Sequence, residues 1–421
     1  METGIVTQPT VVPSKWDIIP VHASDVSAYK RCRRYWDWSS PTRTNLRRRV
    51  DIHGVKLELW FGNGIHYALE MMYDPMLQRD PVEAFIQWWE YQWNGGVVTA
   101  DWLDRTYDIH PRLLSDTDGD EYDYKTPQYK IKGLKHLLPN IEVVQDEFDA
   151  HRELGIGMLN YYKEWAKIND DFVCVAAESV FSIPLGFTAV DRREDSPNYG
   201  KKLDVHARGK RDAVIYYPEW DRYGINDYKS AIRIDEDYFT KLEKDEQVTQ
   251  YLWATMKETE LDSSLPWSGE LVDRCEYTAL RKNYPQPPTP TYKDSRLSLA
   301  KDAPTTAAHF EAALLSNPVW AEWFRGSEDA QKYFQYLLES GDEKFIIRKP
   351  VYRNKYEIKA FDRHLKMIAK EMLNPKTNIY PSPSGSWLCT GCAFRAPCIA
   401  ADDGSDWQGM LNDAYEINRD R

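Results

Sequence analysis

Apolar and polar positions along this chain recur with two periods, 3.6 and 2, and so divide it into helices and strands. The most informative stretch runs from Leu203 to Tyr251 and reads as strand, turn, strand and helix. LDVHARG is followed by KRDAVIYYP, then RYGINDYKSA, then the acidic-to-apolar run DYFTKLEKDEQVTQYLWATMKE. Upstream, Ser24 is placed to cap a helix from Asp25 to Trp38 that carries Val26, Tyr29, Cys32, Tyr35 and Trp36 at helical spacing. A second helix is predicted over Leu59 to Tyr73, with Ile65, Leu69 and Met72 on its apolar face and His66 one turn from Glu70. Asp80-Pro81 opens a third, and Asn140 to Asn169 forms a long fourth. Phe172 to Leu185 reads as a bent strand that contains Glu178, and its pattern leaves open whether that side chain faces a site or solvent. Further strands are predicted at Cys275–Arg281 and Phe345–Tyr352, with helices near 302–316 and 328–340 and over Lys355–Leu373. No internal repeat is visible. The expected organisation is a loose arm (1–22), one α/β domain (23–400) with an acidic insertion at about 95–127, and a peripheral acidic tail (401–421).

Composition narrows this only a little. At 421 residues, with 29 % charged and 42 % apolar residues, the chain has the balance of a soluble globular protein. No apolar run approaches the ~20 residues needed to span a bilayer, and the first residues lack a basic-then-apolar leader, so a cytoplasmic protein is expected. The net charge of −12 disfavours generic polyanion binding. Charge is nevertheless uneven: Lys30, Arg31, Arg33, Arg34, Arg43, Arg47, Arg48 and Arg49 stand against Asp37 alone, a local basic face compatible with a nucleic-acid groove.

Candidate chemistry falls in three groups. Asp227 and Lys229 share one face of a strand while Tyr228 points the other way, and Asp212 lies in the preceding strand. Two carboxylates and an ammonium at one sheet edge are costly unless they hold a cation. Mg²⁺ or Mn²⁺, held by Asp212, Asp227 and the Tyr228 carbonyl, would polarise a phosphodiester and acidify a bound water, with Lys229 orienting the water or neutralising phosphoryl charge. The bland alternative is an Asp227–Lys229 surface pair and a structural His66. Gln247 and Tyr251, four residues apart on one helix face, would contact a nucleic-acid backbone or the attacking water, or are ordinary helix surface. Cys389, Cys392 and Cys398 form C-x2-C-x5-C and need a fourth ligand; Cys32 supplies it if the first helix docks on the C-terminal segment. Four thiolates suit an iron–sulfur cluster or zinc.

In their order along the chain, SDVSAYKRCRRY, GNGIH, ESVF, GKRD, NDYKS, QVTQY and CTGCAFRAPC resemble the RecB-like branch of the PD-(D/E)XK nuclease superfamily, and above all its CRISPR-associated iron–sulfur exonuclease type and phage relatives. The resemblance implies a restriction-endonuclease-like α/β fold, a mixed sheet flanked by helices and closed by an N-/C-terminal Fe–S clasp that joins 24–38 to 386–400. It implies His66, Asp212 and Asp227 as metal ligands, Lys229 as catalytic, Gln247 and Tyr251 as the Q-x3-Y substrate motif, and a 4Fe-4S cluster on Cys32, Cys389, Cys392 and Cys398. Glu178 matches a carboxylate found ahead of the core in such proteins. The activity implied is Mg/Mn-dependent exonucleolytic hydrolysis of single-stranded DNA ends, with recombination or CRISPR adaptation proteins as partners. The alternatives are a structure-specific endonuclease or a catalytically inactive DNA-binding or assembly protein. G-x4-G-K-[ST] is absent, so the chain is not by itself an ATP-driven translocase.

Overall fold

Caps and breaks in the sequence set the elements. The computed structural model describes residues 13–49, 57–99, 128–132, 134–136, 141–193, 196–234, 236–292, 295–382 and 387–418. In chain order they form β1 (Ile18–Val21), α1 (Ala23–Arg31), α2 (Arg33–Ser39), β2 (Leu46–Arg48), α3 (Leu57–Tyr73), α4 (Pro81–Asn94), β3 (Gly95–Thr99), β4 (Gln128–Lys132) and α5 (Ile141–Asn169). The central stretch follows as β5 (Val173–Val190), β6 (Lys202–Tyr217), β7 (Arg222–Ala231), α6 (Glu236–Leu242), α7 (Glu246–Leu261) and β8 (Arg274–Arg281). Then come α8 (Ala307–Ser316), α9 (Pro318–Gly326), α10 (Glu328–Ser340), β9 (Ile346–Tyr352), α11 (Lys355–Met372), α12 (Arg395–Asp403), α13 (Trp407–Ala414) and β10 (Tyr415–Ile417).

Asp80 caps α4 by accepting from the amides of Val82 and Glu83, with Pro81 in the first turn where its missing N–H costs nothing. The run from Asp237 to Glu258, expected as one helix, is two: Asp245 has extended backbone and caps α7 through the Gln247 amide. The helix expected over 25–38 is likewise split, because Cys32 is extended (φ −163°, ψ 114°) between α1 and α2.

One mixed sheet runs β1-β6-β7-β8-β9, and β5 pairs with β6 from outside that path. β5 lies antiparallel along nearly the whole of β6 and so occupies one edge. On the other edge β6 is shared: β1 pairs in parallel with Asp204–Ala207, and β7 pairs antiparallel with Ala213–Tyr217. β8 is parallel to β7, its crossover supplied by α6 and α7. Helices cover both faces. One layer packs Phe61, Ile65, Phe85, Trp89 and Tyr162 of α3, α4 and α5 on Ala213, Ile215 and Tyr228. The other packs Val26, Val248, Leu252, Trp253 and Leu365 of α1, α7 and α11 on Val205, Val214, Ile225 and Tyr277. Helices α8 to α10 enclose a small core of their own around Phe310 and Tyr333.

Several expectations need correction. The arm expected at 1–22 contains β1, which pairs in parallel with β6 and thereby buries all four of its residues. The tail expected to be peripheral holds α13 and β10; β10 pairs with β2, and Leu411 and Tyr415 pack with Trp38 and Phe394. Of the insertion expected at 95–127, residues 95–99 pair with β4, and 100–127 lie outside the described residues. Among the described residues no helix is long and apolar enough to cross a membrane.

Candidate active site

Between the β1 and β7 pairings, residues 208–212 of β6 have no strand partner on that edge among the described residues. At about 3.3 Å per residue the gap spans about 16 Å. Asp212 stands where β7 departs, one residue before the Ala213–Asn226 rung. Its Oδ2 accepts a 2.7 Å hydrogen bond from the Tyr228 amide, taking the place of a backbone carbonyl. The same oxygen is 3.4 Å from His66 Nδ1 on α3. Directly across β5 from Asp212 is Glu178, held at φ +48° in the left-handed region that β-strands exclude. Nδ1 or Nε2 of His66 and carboxylate oxygens of Glu178 and Asp212 all lie within 4.8 Å of one another.

Asp227 and Lys229 lie on one face of β7, as strand alternation requires, and Lys229 Nζ donates to Asp227 Oδ1 at 2.8 Å. Tyr228 points into the opposite layer, stacked on Tyr73 of α3. Lys210 pairs with Glu178. The carboxyls are driven apart. Burial pushes Asp212 up, but His66, Lys229 and the Tyr228 amide outweigh it and hold it down at about 2. Burial pushes Asp227 up to about 6, with Asp212 adding to the rise and Lys229 opposing it. Burial also raises Glu178. Desolvation works against charge on His66 and on Lys229, yet their acidic neighbours raise both, so Lys229 is an ammonium at neutral pH.

On α7, Gln247 Nε2 donates to Tyr251 Oη at 2.6 Å. Tyr251 is nearly buried, and desolvation with the charges of Asp212 and Asp227 keeps its phenol protonated. A groove of about 430 Å³ opens beside Gln247, lined by Ser24, Lys30, Gln250 and His364. The site thus draws on both helical layers: His66 comes from one and Tyr251 from the other, through the gap in the sheet.

Sequence reasoning missed what stands behind these residues. Tyr73 donates to Asp170 Oδ2 at 2.6 Å, and Tyr73 and Tyr162 share a 2.7 Å hydroxyl–hydroxyl bond. Asp170 pairs with Arg348 at 2.8 Å, and Arg348 Nε donates to Thr278, which donates to Asn226 beside Asp227. This buried chain ties the helix of His66 to the strand of Asp227. It links residues up to 275 apart in sequence (73 to 348), and no local pattern announces it.

The basic run near the amino end does something other than present phosphate ligands. Arg33 pairs with Glu371, Arg34 with Asp402, Arg43 with Asp37 and Arg47 with Glu416. Arg48 donates to the carbonyls of Ala393 and Cys392. All but the local Arg43–Asp37 pair lash the amino-terminal segment to the carboxy-terminal one around the cysteines. Arg34 Nη1 lies 3.3 Å from Cys398 Sγ, and the Ser382 amide donates to Cys32 Sγ. The thiols of Cys32, Cys389, Cys392 and Cys398 are all partly exposed and unbridged.

A donor set of one imidazole and clustered carboxylates suits a hard to borderline divalent cation, whose oxygen ligands lie about 2.0–2.6 Å from the ion. Ligand atoms within 4.8 Å of one another fit such a shell. The profile of the PD-(D/E)XK nuclease superfamily matches residues 21–399. No curated protein matches the chain.

Proposed function

The chain belongs to the PD-(D/E)XK nuclease superfamily, whose members are metal-dependent nucleases, and from that premise we propose that it is a RecB-like DNA exonuclease acting on single-stranded ends with Mg²⁺ or Mn²⁺. The observation that carries the reading is the convergence of His66, Glu178 and Asp212 beside the Asp227–Lys229 pair. His66, Asp212, Asp227 and the Tyr228 carbonyl would hold the cation, with Glu178 as a further carboxylate. A cation bound there supplies Lewis acidity toward the phosphate and a more acidic water.

The chain's own groups do the rest. Lys229, a buried ammonium, offers positive charge to developing phosphoryl oxygens and a donor to the nucleophile. Tyr251, protonated and bonded to Gln247, supplies a fixed donor at the mouth of the gap. Supporting the exonuclease reading are the Q-x3-Y helix and the groove that opens beside Gln247. Cys32, Cys389, Cys392 and Cys398 would hold a 4Fe-4S cluster, or zinc, between the docked ends of the chain.

The test is degradation of end-labelled single-stranded DNA with Mn²⁺ or Mg²⁺, comparing wild type with Asp227→Ala and Lys229→Ala. Both variants are expected to lose at least 10²-fold in rate, by analogy with removal of a positioned charge. Equal activity in all three would remove the mechanism, and cutting of circular single-stranded DNA would reassign the enzyme as an endonuclease. Anaerobically purified protein should be brown, and Cys32→Ala should bleach it; colourless protein with one zinc would favour the alternative metal.

A further inference from the structure

β6 carries an arginine where strand alternation calls for an apolar side chain. Arg211 is fully buried, at 0 % exposure, and is among the largest side chains so enclosed. Its guanidinium reaches into the α7 layer. Nε donates to Ser179 Oγ at 3.1 Å, and Nη1 donates to Thr255 Oγ1 and Glu258 Oε2, both at 2.6 Å. Its plane lies near the rings of Phe181 and Trp267. Phe181 fits because the opposite residue is Gly209, whose Cβ, if present, would meet the ring at 2.5 Å.

Two residues along, Ala213 packs into the opposite layer. Regular pleating puts residues i and i+2 on one face, so β6 changes face at Asp212. β5 changes face at the matching point, Glu178, through its positive φ. A left-handed backbone at a non-glycine residue is strained and persists only where neighbours over-determine it. Two neighbours are placed to do so: Lys210 pairs with the Glu178 carboxylate, and Ser179, next in sequence, is paired across the ladder with Arg211. Thr255, the second partner, also donates to the Tyr251 carbonyl at 2.8 Å, one turn before it on α7.

We propose that Arg211 is a positioning residue: from the α7 side of the sheet its guanidinium fixes, through Ser179, the strained backbone that aims Glu178 at Asp212, and through Thr255 and Glu258 the height of Tyr251 above them. This rests on the reading of Glu178 and Asp212 as cation ligands. Arg211 meets no substrate. It sets the distance between two strands and one helix that each carry a site residue.

Ser179→Ala removes one contact and leaves the Arg211–Glu258 pair intact, so the protein still folds. Mn²⁺ binding to the purified full chain, measured by calorimetry well below the unfolding temperature, should weaken by roughly 10–100-fold, the usual effect of losing a group that orients a metal ligand. Ser179→Thr keeps the hydroxyl and should bind like wild type. Arg211→Lys keeps the charge but loses the fork and should weaken binding as Ser179→Ala does. Unchanged Mn²⁺ affinity in Ser179→Ala, with or without a lower melting temperature, would overturn the inference and leave the nuclease reading standing. Absence of Mn²⁺ binding by the wild type would overturn that reading and the inference with it.

Discussion

The Arg211–Glu258 pair makes a prediction in which charge and shape separate. Glu258→Gln keeps the side chain's size and one acceptor but deletes the anion that faces a guanidinium at 0 % exposure. The Glu258 carboxylate is itself only 11 % exposed, so water cannot replace the lost charge. Removing one member of a buried pair leaves the other uncompensated, at a cost of about 3–5 kcal/mol. Ser179 and Thr255 still accept from Arg211, which places the expectation near the lower end, about 3 kcal/mol. Unfolding entropy of about 0.9 kcal/mol/K for a chain of this length converts that to a melting shift of about 3 °C.

The second arm is Arg211→Met with Glu258→Leu. Well-packed apolar replacement of a buried pair is neutral or stabilising, so the double variant should unfold within about 1 kcal/mol of wild type or above it. Guanidinium unfolding followed by tryptophan fluorescence reads both. The double variant has lost the donor to Ser179, so it should be stable and still bind Mn²⁺ poorly. A loss under 1 kcal/mol for Glu258→Gln would refute the claim that the anion compensates a desolvated cation. A double variant as unstable as the single would show that the hydroxyl contacts, and not the charges, hold α7.

Two further outcomes follow from the site. As proposed cation ligands, Asp227, with its carboxyl at about 6, and His66, raised above the ordinary imidazole value, must both shed protons, so Mn²⁺ affinity should fall by at least about tenfold per unit as pH drops below 6 and keep rising above 6 until His66 is neutral; calorimetry across that range checks this, and a flat profile refutes it. Asp212, at about 2, adds no slope there. Tyr73→Phe removes the donor to Asp170 and the bond to Tyr162, and should cost about 1–3 kcal/mol in denaturant unfolding because both partners stay buried.

How much of this was legible depends on distance along the chain. The two acids, the lysine and the Q-x3-Y pair sit within one stretch of strand, strand and helix, where period alone fixes which side chains share a face; the sheet around them was legible for the same reason. From its own surroundings His66 read only as a histidine on a helix, and the resemblance alone named it a ligand, since what brings it to Asp212 is the tertiary placement of α3 over the gap. Glu178 could not be oriented at all, because its direction comes from a positive φ that no propensity foretells. The arginine run misled: apart from Asp37, which pairs with Arg43, the carboxylate and carbonyl partners of Arg33, Arg34, Arg47 and Arg48 lie more than 300 residues away, at 371, 392, 393, 402 and 416, so a self-consuming clasp looked like a free basic face. Arg211 stands at an inward strand position, but what gives it meaning, its contacts to Ser179, Thr255 and Glu258, lies 32 to 47 residues away and no local pattern announces it.

The gap in the sheet also assigns Asp212 two tasks, and they can be told apart. A strand that parts from its neighbour leaves backbone groups unmatched, and at this point the Tyr228 amide is buried with no strand carbonyl opposite it. Asp212 closes that position with its side chain while presenting the same carboxylate to His66. Asp212→Ala therefore loses both, and leaving a buried N–H unmatched should cost about 1–3 kcal/mol. Asp212→Asn keeps an oxygen for the amide and loses only the charge. Both variants should fail to bind Mn²⁺ and both lose the charge that His66 and Lys229 stabilise, but Asp212→Ala should unfold at clearly lower denaturant than Asp212→Asn because it also loses the rung. If the two are equally unstable, the negative charge facing His66 and Lys229, and not the rung, is what Asp212 gives the fold, and the strands would then be held apart by electrostatics at the place where the cation is proposed to sit.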